Sequence, residues 1–266
     1  MFDSIAGDYD ALNHILSLDV DKLWRKKALK QIVDAPAPVQ VLDLACGTGD
    51  FSIAIAKALS RSHKRVGTPI EAHVKAPAKA PVEAQVTSTG FVTGDSGRSD
   101  LMTKGHVTGV DLSEGMLAVM REKVQKSGLT EMISIEEGDG ENLRFPDNTF
   151  DRVTIAFGIR NFEDRPKGLR EMLRVLKPGG RLVILELSRP ENKVIRWFYD
   201  LYFLHILPKI GGKVSGDKAA YAYLPASVAA FPGKKEFSAT MREAGFRAVT
   251  HKAFTLGICR MYTGEK

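Results

Sequence analysis

Val41-Leu-Asp-Leu-Ala-Cys-Gly-Thr-Gly-Asp50 is an apolar run that ends in a Gly-x-Gly turn and an acidic residue, the pattern of a buried strand delivering the chain into a nucleotide-binding loop. Gly47 and Gly49 let the backbone approach a ligand closely, but Ser52 stands where the dinucleotide fingerprint places its third glycine. A tight pyrophosphate seat is therefore disfavoured. Asp43, near the strand end, suits a ligand with a cationic or hydroxyl-rich portion. S-adenosylmethionine carries an ammonium, a sulfonium and a ribose but no phosphate, so the stretch points towards a methyltransferase.

Outward from this loop, periodicity predicts strands near residues 39–44, 107–111, 132–136, 150–156 and 180–187, with helical patterns between most of them. The first helix is expected from Gly49 to about Ser60, its amide end turned to the ligand. After Gly245, Phe246 to Phe254 and Ile258 to Tyr262 read as a closing strand pair. The expectation is an α/β fold with a mostly parallel sheet, helices on both faces and an antiparallel edge strand.

Residues 61–104 interrupt the alternation with Lys-Ala-Pro-Ala-Lys-Ala-Pro-Val-Glu-Ala followed by a Thr-, Ser- and Gly-rich run. Repeated proline and little apolar surface predict a disordered insertion, read as a neutral linker in preference to a docking arm. Asp111 lies 62 residues after Gly49. Removing roughly 40 inserted residues restores the spacing of about 20 expected between a glycine loop and a ribose-binding acid.

Asp111 follows the second strand and can accept two hydrogen bonds from ribose hydroxyls. Its alternative role, capping the next helix, is already filled by Ser113. In Glu137-Gly-Asp-Gly-Glu141, Asp139 can meet an adenine amino group while the Gly140 amide faces a ring nitrogen; a plain turn is the alternative. Three strand ends thus converge on one crevice, where open α/β sheets bind ligands.

At 266 residues the chain is long enough for one full core, and no run of about 18 apolar residues suggests a membrane span. The net charge of +6 is scattered over presumed solvated faces. Only Cys46 and Cys259 are present, too few and too isolated for a disulfide framework or a metal site, which fits a reducing cytoplasm. The opening Met-Phe-Asp-Ser-Ile-Ala lacks the basic and apolar regions of a signal peptide. No Asn-Pro-Pro-aromatic motif or basic stripe interleaved with aromatics speaks for nucleic acid, and Ser52 argues against a dehydrogenase-like module. Oligomeric state has no readable signal.

Several further motifs make a family resemblance close: Phe2-Asp-Ser-Ile-Ala-Gly-Asp-Tyr-Asp10, Phe145-Pro-Asp-Asn-Thr-Phe-Asp151, Phe157-Gly-Ile-Arg-Asn161 and Val175-Leu-Lys-Pro-Gly-Gly-Arg-Leu182. With the glycine loop, they resemble the menaquinone and ubiquinone biosynthesis C-methyltransferases, within the class I, Rossmann-like methyltransferases of seven-stranded sheet. The Lys-Pro-Gly-Gly turn is widespread, whereas Phe-Gly-Ile-Arg-Asn together with the opening motif is much narrower. The resemblance covers nearly all the chain outside the insertion. It implies that Thr48, Asp111, Asp139 and Gly140 contact S-adenosylmethionine. Ala156 departs from a pattern that often has Ser there, leaving only a backbone or van der Waals contact. Members commonly carry a stretch before the Phe-Asp-Ser motif, so an upstream start or a shortened lid is expected.

The implied reaction methylates a ring carbon of demethylmenaquinol, the last step of menaquinone formation, with a benzoquinol or another small aromatic acceptor as the alternative. No metal is needed. Ring carbon becomes nucleophilic when a quinol hydroxyl ionises, so a base or a stabiliser of phenolate must be near. Arg160, just beyond the fourth strand, is the first candidate; its alternative role is a salt bridge to Glu163 or Asp164. As a permanent cation it would stabilise phenolate or orient a water. Tyr9 closes over the donor or packs the N-terminal helix, and His14 and His205 are secondary proton acceptors. A lid or substrate region is expected at 1–25 and 190–225. Within it, Ile195-Arg-Trp-Phe-Tyr-Asp-Leu-Tyr-Phe-Leu-His-Ile-Leu207 is read as a helix covering a lipophilic quinol and touching the inner face of a membrane, with buried core as the alternative.

Overall fold

The computed structural model describes residues 19–34, 39–66, 105–202 and 218–266. Seven strands, β1 (Gln40–Leu44), β2 (His106–Asp111), β3 (Ile133–Glu137), β4 (Phe150–Ala156), β5 (Leu176–Leu187), β6 (Arg247–Phe254) and β7 (Cys259–Glu265), form one sheet in the order β3-β2-β1-β4-β5-β7-β6. The first five run parallel. β7 runs antiparallel to both β5 and β6, so the reversed strand sits one place in from the edge and β6 itself forms the rim. The apolar pattern of the central strands is continuous because both sheet faces are covered.

Alternation along each strand sends neighbours to opposite layers. Val41, Val107, Val183 and Leu185 face a core shared with helices α1 (Val20–Ile32), α2 (Asp50–Val66) and α3 (Glu114–Lys126). Leu42, Val153, Leu182 and Ile184 face the other core, closed by α4 (Arg165–Val175) and α7 (Lys234–Glu243). Between them in sequence lie α5 (Lys193–Leu201) and α6 (Lys218–Ala230), near the carboxyl ends of the strands.

Boundaries moved in two places. The first loop helix continues to Val66, past the expected stop near Ser60, and residues 67–104 of the expected insertion lie outside the described residues. β5 begins at Leu176 because Leu176 pairs with Phe150 before the register shifts to Arg152 opposite Arg181, and the Lys-Pro-Gly-Gly turn is looped out between these pairs. Residues 20–25 of the expected lid belong to α1, whose Trp24 is buried against the core.

β2 and β3 step away from β1 on one side, whereas β4 returns to its other side. This reversal opens a crevice at the carboxyl ends of β1 and β4, the topological switch point of the sheet.

Candidate functional site

The crevice has two lobes that share Ala45, Gly47, Ala156 and Phe157. The smaller, about 360 Å³, is reached by Asp111, Asp139, Gly140 and Glu141. The larger, about 410 Å³, lies beyond the glycine loop and is walled by Trp24, Phe51, Ile195, Phe198, Tyr199 and Leu224.

Local chemistry builds the smaller lobe. Asp111 Oδ2 accepts from the Gly47 amide at 2.8 Å and Oδ1 from the Ser113 amide at 2.9 Å, so one carboxylate ties the end of β2 to the glycine loop. A carboxylate has about four acceptor positions, enough for a structural tie and a ligand together. Ser113 caps α3 by accepting from the Met116 amide, as its sequence position predicts. Asp139 Oδ1 accepts from the Glu141 amide at 2.8 Å, so the expected turn and the expected ligand position coincide. Gly140 is held tightly, since a Cβ there would lie 2.5 Å from Phe162 Cζ.

The two loop glycines do different work. Gly47 has φ +55° and open space where a Cβ would stand, so it faces the cavity. Gly49 has φ +82° and a Cβ there would sit 2.4 Å from Met120 Cγ in α3. It lines neither lobe; it permits the turn and the close approach of α3.

Asp43 is buried beneath the loop and accepts from Ser52 Oγ at 2.5 Å. Burial, the largest influence, raises its carboxyl to about 7, while the Ser52 bond and the Arg25 charge oppose that rise. Ser52, notable in the sequence only as an absent glycine, is thus the partner of this acid. Thr48 Oγ1 accepts from Lys123 Nζ at 3.3 Å, and Lys123 also pairs closely with Asp50. Arg25, which the sequence did not single out, approaches Asp50 at 3.3 Å and Asp21 at 3.6 Å on the larger lobe.

Arg160 does line the larger lobe, in a single helical turn at Ile159–Asn161. Its partner is Glu186 at 2.9 Å, in place of Glu163 or Asp164, the partners named for its alternative role. Asp164 instead caps α4 by accepting from the Lys167 amide. A signal for Glu186 was present in the sequence: a lone acid inside the apolar run Leu182–Leu187 requires a buried partner. Ala156 reaches both lobes between the two halves of the crevice. Tyr9, His14 and His205 lie outside the described residues.

α5 is not buried core. Val194, Trp197 and Phe198 are 66%, 62% and 60% exposed, while Ile195, Phe198 and Tyr199 line the larger lobe. Its apolar surface is therefore shared between cavity and solvent, and Lys193, Arg196 and Asp200 occupy the remaining stripe. Among the described residues no helix is long and apolar enough to cross a membrane.

Comparison with known proteins agrees with this architecture. A SAM-dependent methyltransferase from Aquifex aeolicus shares the fold with a TM-score of 0.54 at 19% identity, over 90% of this chain and 88% of that one. The chain is 44% identical over its whole length to the ubiquinone/menaquinone biosynthesis C-methyltransferase UbiE of Geobacter sulfurreducens, covering 87% of that relative. It is 40% identical, again over its whole length, to the demethylmenaquinone methyltransferase of Bacteroides fragilis, covering 91% of it. The model of the ubiE/COQ5 methyltransferase family matches residues 1–266, and the chain belongs to that family.

Proposed function

We propose that the protein carries out S-adenosylmethionine-dependent C-methylation of demethylmenaquinol to menaquinol, the last step of menaquinone biosynthesis. One observation carries the division of the crevice into donor and acceptor halves. Among the described residues the smaller lobe is lined by Asp111, Asp139, Glu141 and Glu163 and by no Lys or Arg, whereas the larger is dominated by aromatic and aliphatic walls. A lobe of carboxylates rejects a pyrophosphate and suits the hydroxyls and amino group of a nucleoside. The apolar lobe suits a quinol with a lipophilic tail.

Asp111 would hold the ribose, Asp139 and Gly140 the adenine, and the Gly47–Thr48 loop the amino-acid end over Asp43. Ala156 contributes a backbone or van der Waals contact. When bound, the donor supplies an electrophilic methyl: its carbon–sulfur bond breaks as a carbon–carbon bond forms to the quinol ring, and one proton leaves to solvent. The protein aligns the acceptor and excludes water through Trp24, Phe157 and Tyr199. Arg160, a permanent cation, stabilises the phenolate as the hydroxyl proton passes to water.

The acceptor is drawn from the cytoplasmic face of the membrane. Phe198 belongs both to the cavity wall and to the exposed apolar face of α5, so an isoprenoid tail can leave the lobe along a continuous apolar path. Liposome flotation with and without anionic lipid checks this contact; absence of binding to either composition removes it. The reaction is tested with labelled S-adenosylmethionine, reduced demethylmenaquinone and, in parallel, a demethylated benzoquinol. Label in the naphthoquinone alone supports the reading, label in both makes the enzyme act on two quinol classes, and label in neither despite donor binding overturns the quinol assignment. Arg160→Ala is expected to lower kcat by about 100-fold in the productive assay.

A further inference from the structure

Glu186 on β5 is fully buried, and every hydrogen bond it accepts among the described residues serves the turn after β4 or the end of its own strand. Its Oε2 accepts from the Arg160 amide at 3.1 Å, and Oε1 accepts from Arg160 Nη1 at 2.9 Å and the Leu187 amide at 2.8 Å. One carboxylate therefore grips the main chain and the side chain of the same arginine. The guanidinium is fixed from two further directions, donating from Nε to Ser227 Oγ of α6 at 3.3 Å and from Nη1 closely to the Phe157 carbonyl. Phe157 has φ +64°, a left-handed conformation unusual for a bulky residue, so the turn that aims Arg160 is held against local preference. α6 is anchored beside it by the Tyr223 hydroxyl, which donates to Asn161 Oδ1 at 3.0 Å.

We propose that Glu186 is a positioning residue for methyl transfer: it aims the Arg160 guanidinium at the acceptor hydroxyl and, by partly cancelling its charge, sets the pH at which that hydroxyl ionises. The proposal rests on the acceptor reading of the larger lobe. A guanidinium with no counter-ion would favour phenolate more strongly, but without the carboxylate fork it would not be held in one direction. Glu186 is not placed to act as the base, because both oxygens already face donors and Arg160 stands between it and the lobe.

Asp43 lines the same lobe and, raised to about 7 by burial, is a group that ionises in the working range, while Arg260, opposite Glu186 on β7, is a permanent cation. Tyr199 of α5 and Tyr262 and Cys259 of β7 are all pushed upward, chiefly by burial, with Tyr262 at about 12. Arg165 of α4 donates to the Arg160 carbonyl as a permanent cation, and Ser227 and the Phe157 carbonyl do not ionise in the working range.

The experiment is the pH dependence of kcat with labelled donor and the reduced naphthoquinone, for wild type, Glu186→Gln, Glu186→Asp and Arg160→Ala, with donor affinity measured calorimetrically on each. Glu186→Gln is expected to lower the plateau kcat at least tenfold and to move the acid limb down by about one pH unit. Donor affinity should stay within about twofold. Glu186→Asp, which keeps the charge but shortens the reach, should lower kcat and leave the limb in place. A Glu186→Gln enzyme with an unmoved limb, or with kcat and donor affinity falling together, overturns the proposal in favour of a structural role. If Arg160→Ala turns over as fast as wild type, the acceptor reading itself has failed; if Arg160→Ala is slow but Glu186→Gln behaves as wild type, only the role given to Glu186 has failed.

Discussion

The two lobes of the crevice are built by opposite means. The carboxylate lobe is made from short segments at the ends of β1, β2, β3 and β4, and Asp111 and Asp139 are tied down by amides a few residues away or in the neighbouring loop. The apolar lobe gathers Trp24, Phe157, Tyr199, Leu224 and Thr255 from distant parts of the chain, around one buried ion pair. The first is stiff because strand ends and tight turns fix it, and the second is shaped by how helices α1, α5 and α6 pack. A site made of local motifs can be retained while a site made of long-range packing is adapted, which is why a donor half does not by itself specify an acceptor.

Four perturbations test that contrast. The largest effect is expected from Gly49→Ala, which places a methyl group against buried Met120 at a left-handed position. Urea unfolding should show a loss of about 3 kcal/mol. A loss below about 0.5 kcal/mol would mean that the loop is not stiffened by α3.

Asp111→Ala comes next. It removes the acceptor proposed for the ribose and the tie to the Gly47 amide, and should weaken donor binding about 100-fold, about 2.7 kcal/mol, by calorimetry. Quinol affinity should change by less than about threefold; an equal loss at both ligands would show that the lobes are not separable.

Asp43 lies at the boundary between the two halves. Its folded carboxyl titrates at about 7 against an ordinary value of 3.8. Between those values the native state holds a proton that the unfolded chain has released, so stability falls as pH rises from about 4 to about 7. The slope approaches about 1.4 kcal/mol per pH unit. Asp43→Asn should remove this contribution, visible as a flatter stability profile in denaturant titrations across the same window. Parallel profiles for the two proteins would place the titration elsewhere.

The smallest effect belongs to the rim of the apolar lobe. Trp197→Ser on the exposed face of α5 should reduce partition to anionic vesicles about fivefold, about 1 kcal/mol, leaving donor affinity unchanged. Unaltered partition would assign the membrane contact to another surface.

Much of the carboxylate lobe was legible because its signals are local. Residues 45–50 follow β1, Asp111 ends β2 and Asp139 comes just after β3, and the 62-residue gap between Gly49 and Asp111 was itself a clue to an interposed segment. The packing role of Gly49 was not legible, because a glycine needed for packing and one needed for ligand approach look alike in a Gly-x-Gly turn; the position of Met120 is what reveals it. Ser52 was read as an absence, since nothing in its neighbourhood announces that a residue nine positions earlier will be buried beside it.

The acceptor half shows the same limit more sharply. Arg160 was recognisable from its motif, yet its partner was sought three or four residues away and found on the adjacent strand, 26 residues later. The amphipathic character of α5 was partly legible, but the division of its apolar surface between cavity and solvent depends on where the sheet ends and how the helix lies across it.

By itself the sequence determined the strand-and-helix alternation, the parallel sheet and the three strand-end motifs of the donor crevice, because hydrophobic period and turn chemistry act over a few residues. Only the tertiary structure decided that β7 would be the reversed strand inside the edge, that Asp43 would be buried with Ser52, and that Glu186 would hold Arg160. Those outcomes depend on pairing between segments far apart in the chain, where burial makes an unmatched charge or hydroxyl costly and so selects the partner that sequence spacing cannot name.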